Sequence, residues 1–360
     1  MKFIDEFRNR EDIRHLTALL HKTSTKPIAL MEVCGGHTMA IHRAGIPSLL
    51  PPTIRLLSGP GCPVCVTGRE YIDRAIAYSR IENTIVCTYG DLIRVPGSSS
   101  SLMKEKARGA DIRMVYSTME ALDIARKNKD KKIIFLGIGF ETTIPASAVA
   151  LMHAKKEKLQ NFYLVSSHKI MPPALSALID EGVQINGYIA PGHVSTITGS
   201  SIYKEIPEKY GLAVVISGFE PVDLMQSIVM LTRQLEEDRP CVEIQYRRAV
   251  KPEGNSKAQQ VMQEVFTLRD DYWRGLGMLK NSGLAINENY RMHDAEYMIP
   301  VMPEPTVEPK GCICGAILKG TATPLQCKLF AAQCTPAEPV GACMVSSEGA
   351  CAAMYLYGNR

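Results

Sequence analysis

The sequence predicts an α/β protein: two parallel-sheet domains followed by a cysteine-rich C-terminal domain. Three observations carry this. Short apolar runs alternate with amphipathic stretches through the first two-thirds of the chain, the rhythm of parallel sheets covered by helices on both faces. Those runs end in glycine-rich loops bearing cysteine, histidine and glutamate. Six of the 11 cysteines lie within residues 312–360.

The first strands are expected at 28–33, 53–57, 85–88 and 112–116, each short, apolar and bounded by turn residues. Between them, 70–79 places Ile72, Ala75, Ile76 and Tyr78 at helical spacing. The stretch 117–127 opens with a Ser/Thr cap ahead of Met119, Leu122, Ile124 and Ala125. A short helix is expected from about 36 to 43. The rhythm restarts with strands at 133–137, 162–165, 187–190 and 212–217, and helices at 144–155, 173–181 and 221–236. These two sets define α/β domains at 1–130 and 131–240. Beyond them come a strand at 242–250, a helix at 256–266 and a glycine-rich stretch with the only tryptophan, Trp273. Pro300, Pro303, Pro305 and Pro309 then favour an extended segment. The third domain spans 241–360.

At 360 residues the chain is long enough to bury a core without disulfides, and its odd cysteine total argues against a fully paired framework. A net charge of +4 with no basic stripe argues against nucleic acid and anionic membrane surfaces. The opening MKFIDEFRNREDIRHL is charged throughout and lacks the apolar core of a secretory signal. No apolar run approaches the roughly 18 residues that span a bilayer. A cytoplasmic protein is expected, and there clustered cysteines bind metal or do redox work.

The polar residues collect where strands end, the edge at which open parallel sheets bind ligands. Cys34 falls at a strand end ahead of a helix, where unpaired N–H groups and the helix dipole are expected to lower the thiol pKa. His37, three residues on, offers an imidazole on the same side. The plain alternative is a small buried cysteine beside a glycine turn. Cys62-Pro63-Val64-Cys65 is a CxxC that reads as a redox dithiol, with a metal half-site as the alternative. Pro63 suits the first turn of a helix starting there. Gly137-Ile138-Gly139 lacks the rest of a dinucleotide fingerprint and reads as a tight strand-to-helix turn. His168 and His193, with Glu141 and Glu220, stand ready for proton transfer in a cleft or are satisfied structural groups.

The tail carries Cys312, Cys314, Cys327, Cys334, Cys343 and Cys351, with no histidine after His293. An all-thiolate site follows, and four thiolates suit zinc or a [4Fe–4S] cluster. Six thiols exceed four ligands by two, which a cluster beside a dithiol explains better than zinc alone.

Several long segments together resemble one family. They are MEVCGGHTMAI at 31–41, SGPGCPVCVT at 58–67, GFETTIPA at 139–146, APGHVSTI at 190–197, SGFEPVDLM at 217–225 and the cysteine-rich tail. The chain resembles the HypD family of [NiFe] hydrogenase maturation factors over essentially its full length. That resemblance implies two Rossmann-like domains and a third domain holding a [4Fe–4S] cluster. It implies a complex with the small chaperone HypC, on which the Fe(CN)2CO unit is assembled before passing to the hydrogenase large subunit, with HypE as cyanide donor. Cys34 is then an iron-ligand candidate and Cys62/Cys65 a redox pair near the cleft. A likeness to the cluster-and-disulfide site of ferredoxin:thioredoxin reductase assigns Cys312, Cys327, Cys334 and Cys351 to the cluster and Cys314/Cys343 to the adjoining thiol pair. Electrons are then expected to pass from the cluster through Cys314/Cys343 and Cys62/Cys65 to the iron site at Cys34. The competing reading is a stand-alone iron–sulfur thiol–disulfide oxidoreductase. Cys87 and Cys241 read as structural.

Overall fold

The computed structural model describes residues 5–358 and contains two fully parallel sheets and one antiparallel hairpin. The strands in chain order are β1 (Ile28–Glu32), β2 (Ile54–Ser58), β3 (Thr84–Thr88), β4 (Asp111–Met114), β5 (Lys132–Gly139), β6 (Phe162–His168), β7 (Gly187–Pro191), β8 (Ala213–Ser217), β9 (Val242–Ile244), β10 (Phe266–Trp273) and β11 (Gly277–Ile286). One sheet has the order β2-β1-β7-β8-β9, the other β4-β3-β5-β6. The expected strand positions of the first two-thirds are met within a few residues.

The grouping of those strands differs from the one read off chain order. β1 and β2 do not share a sheet with β3 and β4; they pair with the late strands β7 to β9. The chain thus leaves one sheet after β2, builds the second from β3 to β6, and returns to complete the first. A boundary at 130 runs through the second sheet, between β4 and β5. Chain order cannot reveal this, because every strand here is a similar apolar run and any crossover long enough can join two parallel neighbours. The strand expected at 242–250 stops at Ile244, where Gln245 and Tyr246 both turn their N–H groups onto the Ile216 carbonyl.

The glycine-rich stretch around Trp273 is the β10–β11 hairpin. Trp273 is fully buried, stacks on Phe140 at 5.8 Å and donates from Nε1 to Ser282 Oγ at 3.0 Å. Buried Lys169, just past β6, pairs with Asp271 at 3.0 Å and donates to the Tyr272 carbonyl at 2.8 Å, fastening the hairpin to the second sheet. A first helix, Arg10–Thr23, went unread although Asn9 caps it and Glu11 and Asp12 fill its first turn.

The cap read at 117 holds: Ser117 Oγ accepts from the Glu120 N–H at 3.3 Å and opens the helix Thr118–Lys127. Ser117→Ala is expected to cost about 1 kcal/mol, read as a lower urea midpoint at unchanged slope.

What matters for the site is where each sheet changes direction. Counted by its own strands, each begins second-first-third, the doubly wound order, so a crevice opens where the chain turns from one side to the other. In the first sheet that point lies between β1 and β7, and in the second between β3 and β5. β1 delivers Cys34 and β7 delivers His193; β3 delivers Asp91 and β5 delivers Glu141.

Candidate functional site

Cys34 ends β1 with extended backbone and caps the helix Gly35–Arg43. Its carbonyl accepts from the N–H groups of His37 at 2.9 Å and Thr38 at 3.0 Å. Its sulfur is favoured by the backbone N–H groups of His37 and Gly36, as expected for a helix N-terminus. The thiol pKa nonetheless moves the other way from the sequence expectation. Cys34 is only 9% exposed, and burial, helped by the Glu348 carboxyl, pushes its thiol up to about 12. Two N–H dipoles do not offset removal from water beside acidic side chains. Cys34 therefore rests as a thiol, and a metal ion that binds it must displace a proton.

His37 does not serve Cys34 through its ring. The imidazole is fully buried, stacked on Phe219 at 4.6 Å, with Nε2 at 3.3 Å from the Ser217 carbonyl. Burial lowers it to about 4, so it is neutral at physiological pH. What His37 gives Cys34 is its backbone N–H.

The CxxC reaches Cys34 through backbone contact. Gly35 N–H donates to the Gly61 carbonyl at 3.0 Å and Gly59 N–H to the Glu32 carbonyl at 2.8 Å. A Cβ on Gly61 would lie 2.2 Å from the Cys34 nitrogen, so only glycine allows this approach. Cys62 follows at once and caps the helix Pro63–Val66, the short helix that the proline predicted. Cys62 and Cys65 form a disulfide with Cα atoms 5.2 Å apart.

A cavity of about 480 Å³ opens at the first crevice; Cys34 does not line it, but Gly36, which does, lies against the Cys34 sulfur. Gly36, Phe219, His193, Glu220, Arg8 and Glu348 are among the residues that line it. His193 stacks on Phe219 at 3.8 Å, and Arg8 pairs with Glu220 at 2.5 and 2.8 Å on its wall. Of the proton-transfer candidates, His193 and Glu220 thus reach the cavity. His168 does not: it is fully buried, sits 3.0 Å from Ser147 Oγ, and is lowered to about 3 by burial. The two crevices meet electrostatically. Glu348 acts on both Cys34 and Asp91, and Tyr203 feels both Cys34 and Glu141.

Two buried carboxyls give the site a pH signature. Burial pushes Glu32, which accepts from Thr38 Oγ1 at 2.8 Å, up to about 8, and Glu141, which accepts from the Met171 N–H at 3.0 Å, up to about 7. Both values lie above those of the unfolded chain, so the folded protein holds the extra protons. Their stabilising contribution is full below the ordinary carboxyl range and is lost as pH rises through the folded values, by at most about 1.4 kcal/mol per pH unit per group. His37 works oppositely: its contribution is full above 6.5 and falls as pH drops toward 4. Urea unfolding is expected to show stability declining from about pH 6 to 8, with Glu32→Gln and Glu141→Gln each flattening the decline.

The tail thiols converge on Cys314. Cys312 Sγ lies 3.2 Å from Cys314 Sγ, and Cys343 and Cys351 also hydrogen-bond to it. Those hydrogen bonds hold Cys314 well below the usual thiol range. The same bonds, together with burial, raise Cys312, Cys343 and Cys351. Cys327 is within electrostatic reach of Cys312, and Cys334, which accepts from the Val340 N–H at 3.3 Å, of Cys351. Among the described residues no set of three or more His, Cys, Asp or Glu side chains is already drawn into metal-ion geometry. All six sulfurs nevertheless occupy one neighbourhood, and the donors there are exclusively sulfur, the chemistry that suits an iron–sulfur group.

The tail covers the CxxC. The helices Cys314–Leu318 and Ala342–Val345 pack on Pro63–Val66, and Ala350–Tyr357 packs on Gly35–Arg43. The tail thus meets both the CxxC helix and the helix that Cys34 caps. Three residues of this assembly escaped the sequence reading: Glu348, Arg69 and Arg274. Arg274 donates to the carbonyls of Cys65 at 3.1 Å and Thr67 at 2.9 Å. No spacing marks an arginine 209 residues away from its partner. Cys87 is buried within β3 and Cys241 sits at the approach to β9, away from these groups.

Fold and site together define a doubly wound α/β protein in which a lone buried cysteine, a CxxC disulfide and a six-thiol tail pack together. Such proteins are known. The chain belongs to the HypD family, whose model, described as "Hydrogenase formation hypA family", matches residues 11–358. It is 47% identical to a hydrogenase maturation factor HypD2 of Bradyrhizobium diazoefficiens, over 100% of this chain and 97% of that one. It is 46% identical to the hydrogenase maturation factor HypD of Azotobacter vinelandii, covering 100% and 98%, and 42% identical to that of Escherichia coli, covering 100% and 99%. No helix among the described residues is long and apolar enough to cross a membrane.

Proposed function

We propose that this chain is a cytoplasmic hydrogenase maturation factor that, in complex with HypC, holds the iron of the [NiFe] site at Cys34 while its cyanide and carbonyl ligands are added. HypE supplies the cyanide as a thiocyanate, and the finished Fe(CN)2CO unit leaves for the hydrogenase large subunit through HypC. The observation that carries this is the placement of Cys34: it stands at the crevice of the first sheet, beside a cavity of about 480 Å³, with the CxxC loop backbone-to-backbone against it. A soft thiolate suits low-spin iron.

Freeing cyanide from a thiocyanate sulfur takes two electrons. A dithiol provides them in one balanced step: the R–S–CN sulfur leaves as R–SH, cyanide departs with the second proton as HCN, and the two cysteine sulfurs join. Cys62 and Cys65 stand in the joined form, and as a reduced pair they are donors on the loop held against Cys34. Cys314 and Cys343, hydrogen-bonded to one another and packed on the CxxC helix, make the second pair. Cys312, Cys327, Cys334 and Cys351 are the thiols that would hold a [4Fe–4S] group, which when bound supplies electrons singly.

The test is the infrared spectrum of the complex co-purified anaerobically with HypC. Cyanide and carbonyl stretching bands are expected. A complex without them, from a protein that instead reduces thioredoxin-type disulfides unaided, would support the oxidoreductase reading.

A further inference from the structure

Arg69 and Arg274 are buried cations beside the tail thiols. Arg69 opens the helix Arg69–Ser79 and is 6% exposed. It donates to the carbonyls of Val307 at 2.7 Å and Val340 at 3.5 Å, and its buried Nε has no hydrogen-bond partner. Arg274, between β10 and β11, is 7% exposed and donates to the carbonyls of Cys65 and Thr67 and to Glu308 Oε2. Both guanidiniums share one carboxylate, Glu308, at 4.0 Å from Arg69 and 3.4 Å from Arg274, and its side chain is 54% exposed. Asp73, buried one turn along from Arg69, adds negative charge to its surroundings without touching it, its oxygens being taken by Ser98 and Thr306. Carbonyls satisfy N–H groups without supplying charge, and water screens the half-exposed carboxylate that the two cations share. The arginines also repel each other. Thiols face them as well: Val340, whose carbonyl Arg69 holds, donates its N–H to Cys334 Sγ at 3.3 Å, Cys312 lies in the field of Arg69, and Cys343 lies in that of Arg274.

We infer that Arg69 and Arg274 are the charge partners of an iron–sulfur group held by the tail thiols and raise its reduction potential. The inference rests on the proposal that Cys312, Cys327, Cys334 and Cys351 hold a [4Fe–4S] group. Four thiolates more than cancel the charge of such an oxidised core, so the site is anionic, and uptake of one electron makes it more so. Fixed positive charge in a buried, weakly screened position favours the more negative state. The two cations stand on different elements, the Arg69–Ser79 helix and the hairpin. They bring positive charge to the thiol group from the sides of Cys312 and Cys343.

The test is a dithionite redox titration of the full-length protein, reconstituted anaerobically with iron and sulfide and followed by visible absorption and electron paramagnetic resonance. Arg69→Gln and Arg274→Gln keep N–H donors for the carbonyls and remove the charge. Each is expected to shift the midpoint to more negative potential, and the double variant further. Arg69→Lys and Arg274→Lys are expected to stay near the wild type. Glu308→Gln, at a half-exposed side chain, is expected to shift it the opposite way. If the glutamine variants do not fold, the sign of the Glu308→Gln shift decides. Unchanged midpoints in folded glutamine variants, or a negative shift in Glu308→Gln, would overturn the inference alone. A wild-type protein that takes up no iron–sulfur group would overturn the underlying proposal, and the inference with it.

Discussion

Cys34→Ala is expected to abolish the cyanide and carbonyl infrared bands of the HypC complex, while Cys87→Ala, a buried β3 thiol far from the crevice, leaves them intact. The contrast separates loss of a ligand from loss of a buried sulfur. Both side chains are buried and both thiols are pushed up to about 12, so neither differs in burial or acidity. They differ in place: Cys34 ends a strand at a switch point, and Cys87 lies inside one. Cys34→Ser, which keeps size and hydrogen bonding but offers a hard oxygen, is also expected to lose the bands. Because the thiol must give up a proton to bind iron, iron loading of the wild type is expected to strengthen about tenfold per pH unit below the thiol pKa, until other groups intervene. Loading that does not vary with pH, or bands that survive in Cys34→Ala, would remove Cys34 as the iron ligand.

Gly61→Ala is expected to be a strongly damaging single methyl. The new Cβ would meet the Cys34 nitrogen at 2.2 Å, its Cα at 2.4 Å and the Val33 carbonyl carbon at 2.4 Å. These are backbone atoms held by the β1–β2 pairing and by the Gly35-to-Gly61 hydrogen bond, so no side chain can swing aside. The expected cost is about 3 kcal/mol, the upper end for overpacking, with the two loops pushed apart. Infrared bands are expected to disappear even in the fraction that stays folded, because Cys34 and the CxxC lose their register. The check pairs urea unfolding with infrared spectra. Gly109→Ala serves as the control: its Cβ would meet nothing within 4 Å, although its φ of +104° adds backbone strain. A Gly61→Ala protein as stable as wild type would mean that the two loops are free to separate.

Much of this molecule is legible in its sequence for local reasons. Strands such as Lys132–Gly139 and helices such as Pro221–Glu236 announce themselves by apolar spacing and by caps, which depend on neighbours within a few residues. The CxxC helix followed from Pro63, and the extended segment after 300 from its prolines. Features that depend on distant parts of the chain were misread. The thiol of Cys34 was expected to be acidic from its helix N-terminus, and burial beneath Glu348, 314 residues away in the chain, reversed it. His37 was placed beside Cys34 by helical spacing, yet Phe219 and Ser217 claim its ring.

The sequence by itself determined that this is an α/β protein with a cysteine-bearing strand end, a CxxC and a thiol-rich tail, because each is a short-range pattern. Only the tertiary structure decided that β1 and β2 close a sheet with β7 to β9, and that the tail folds back over the CxxC. It also decided that Arg69 and Arg274 stand over the tail thiols. Parallel pairing and the packing of the tail are set by which apolar faces and buried charges find partners across more than a hundred residues, and no local pattern encodes that choice.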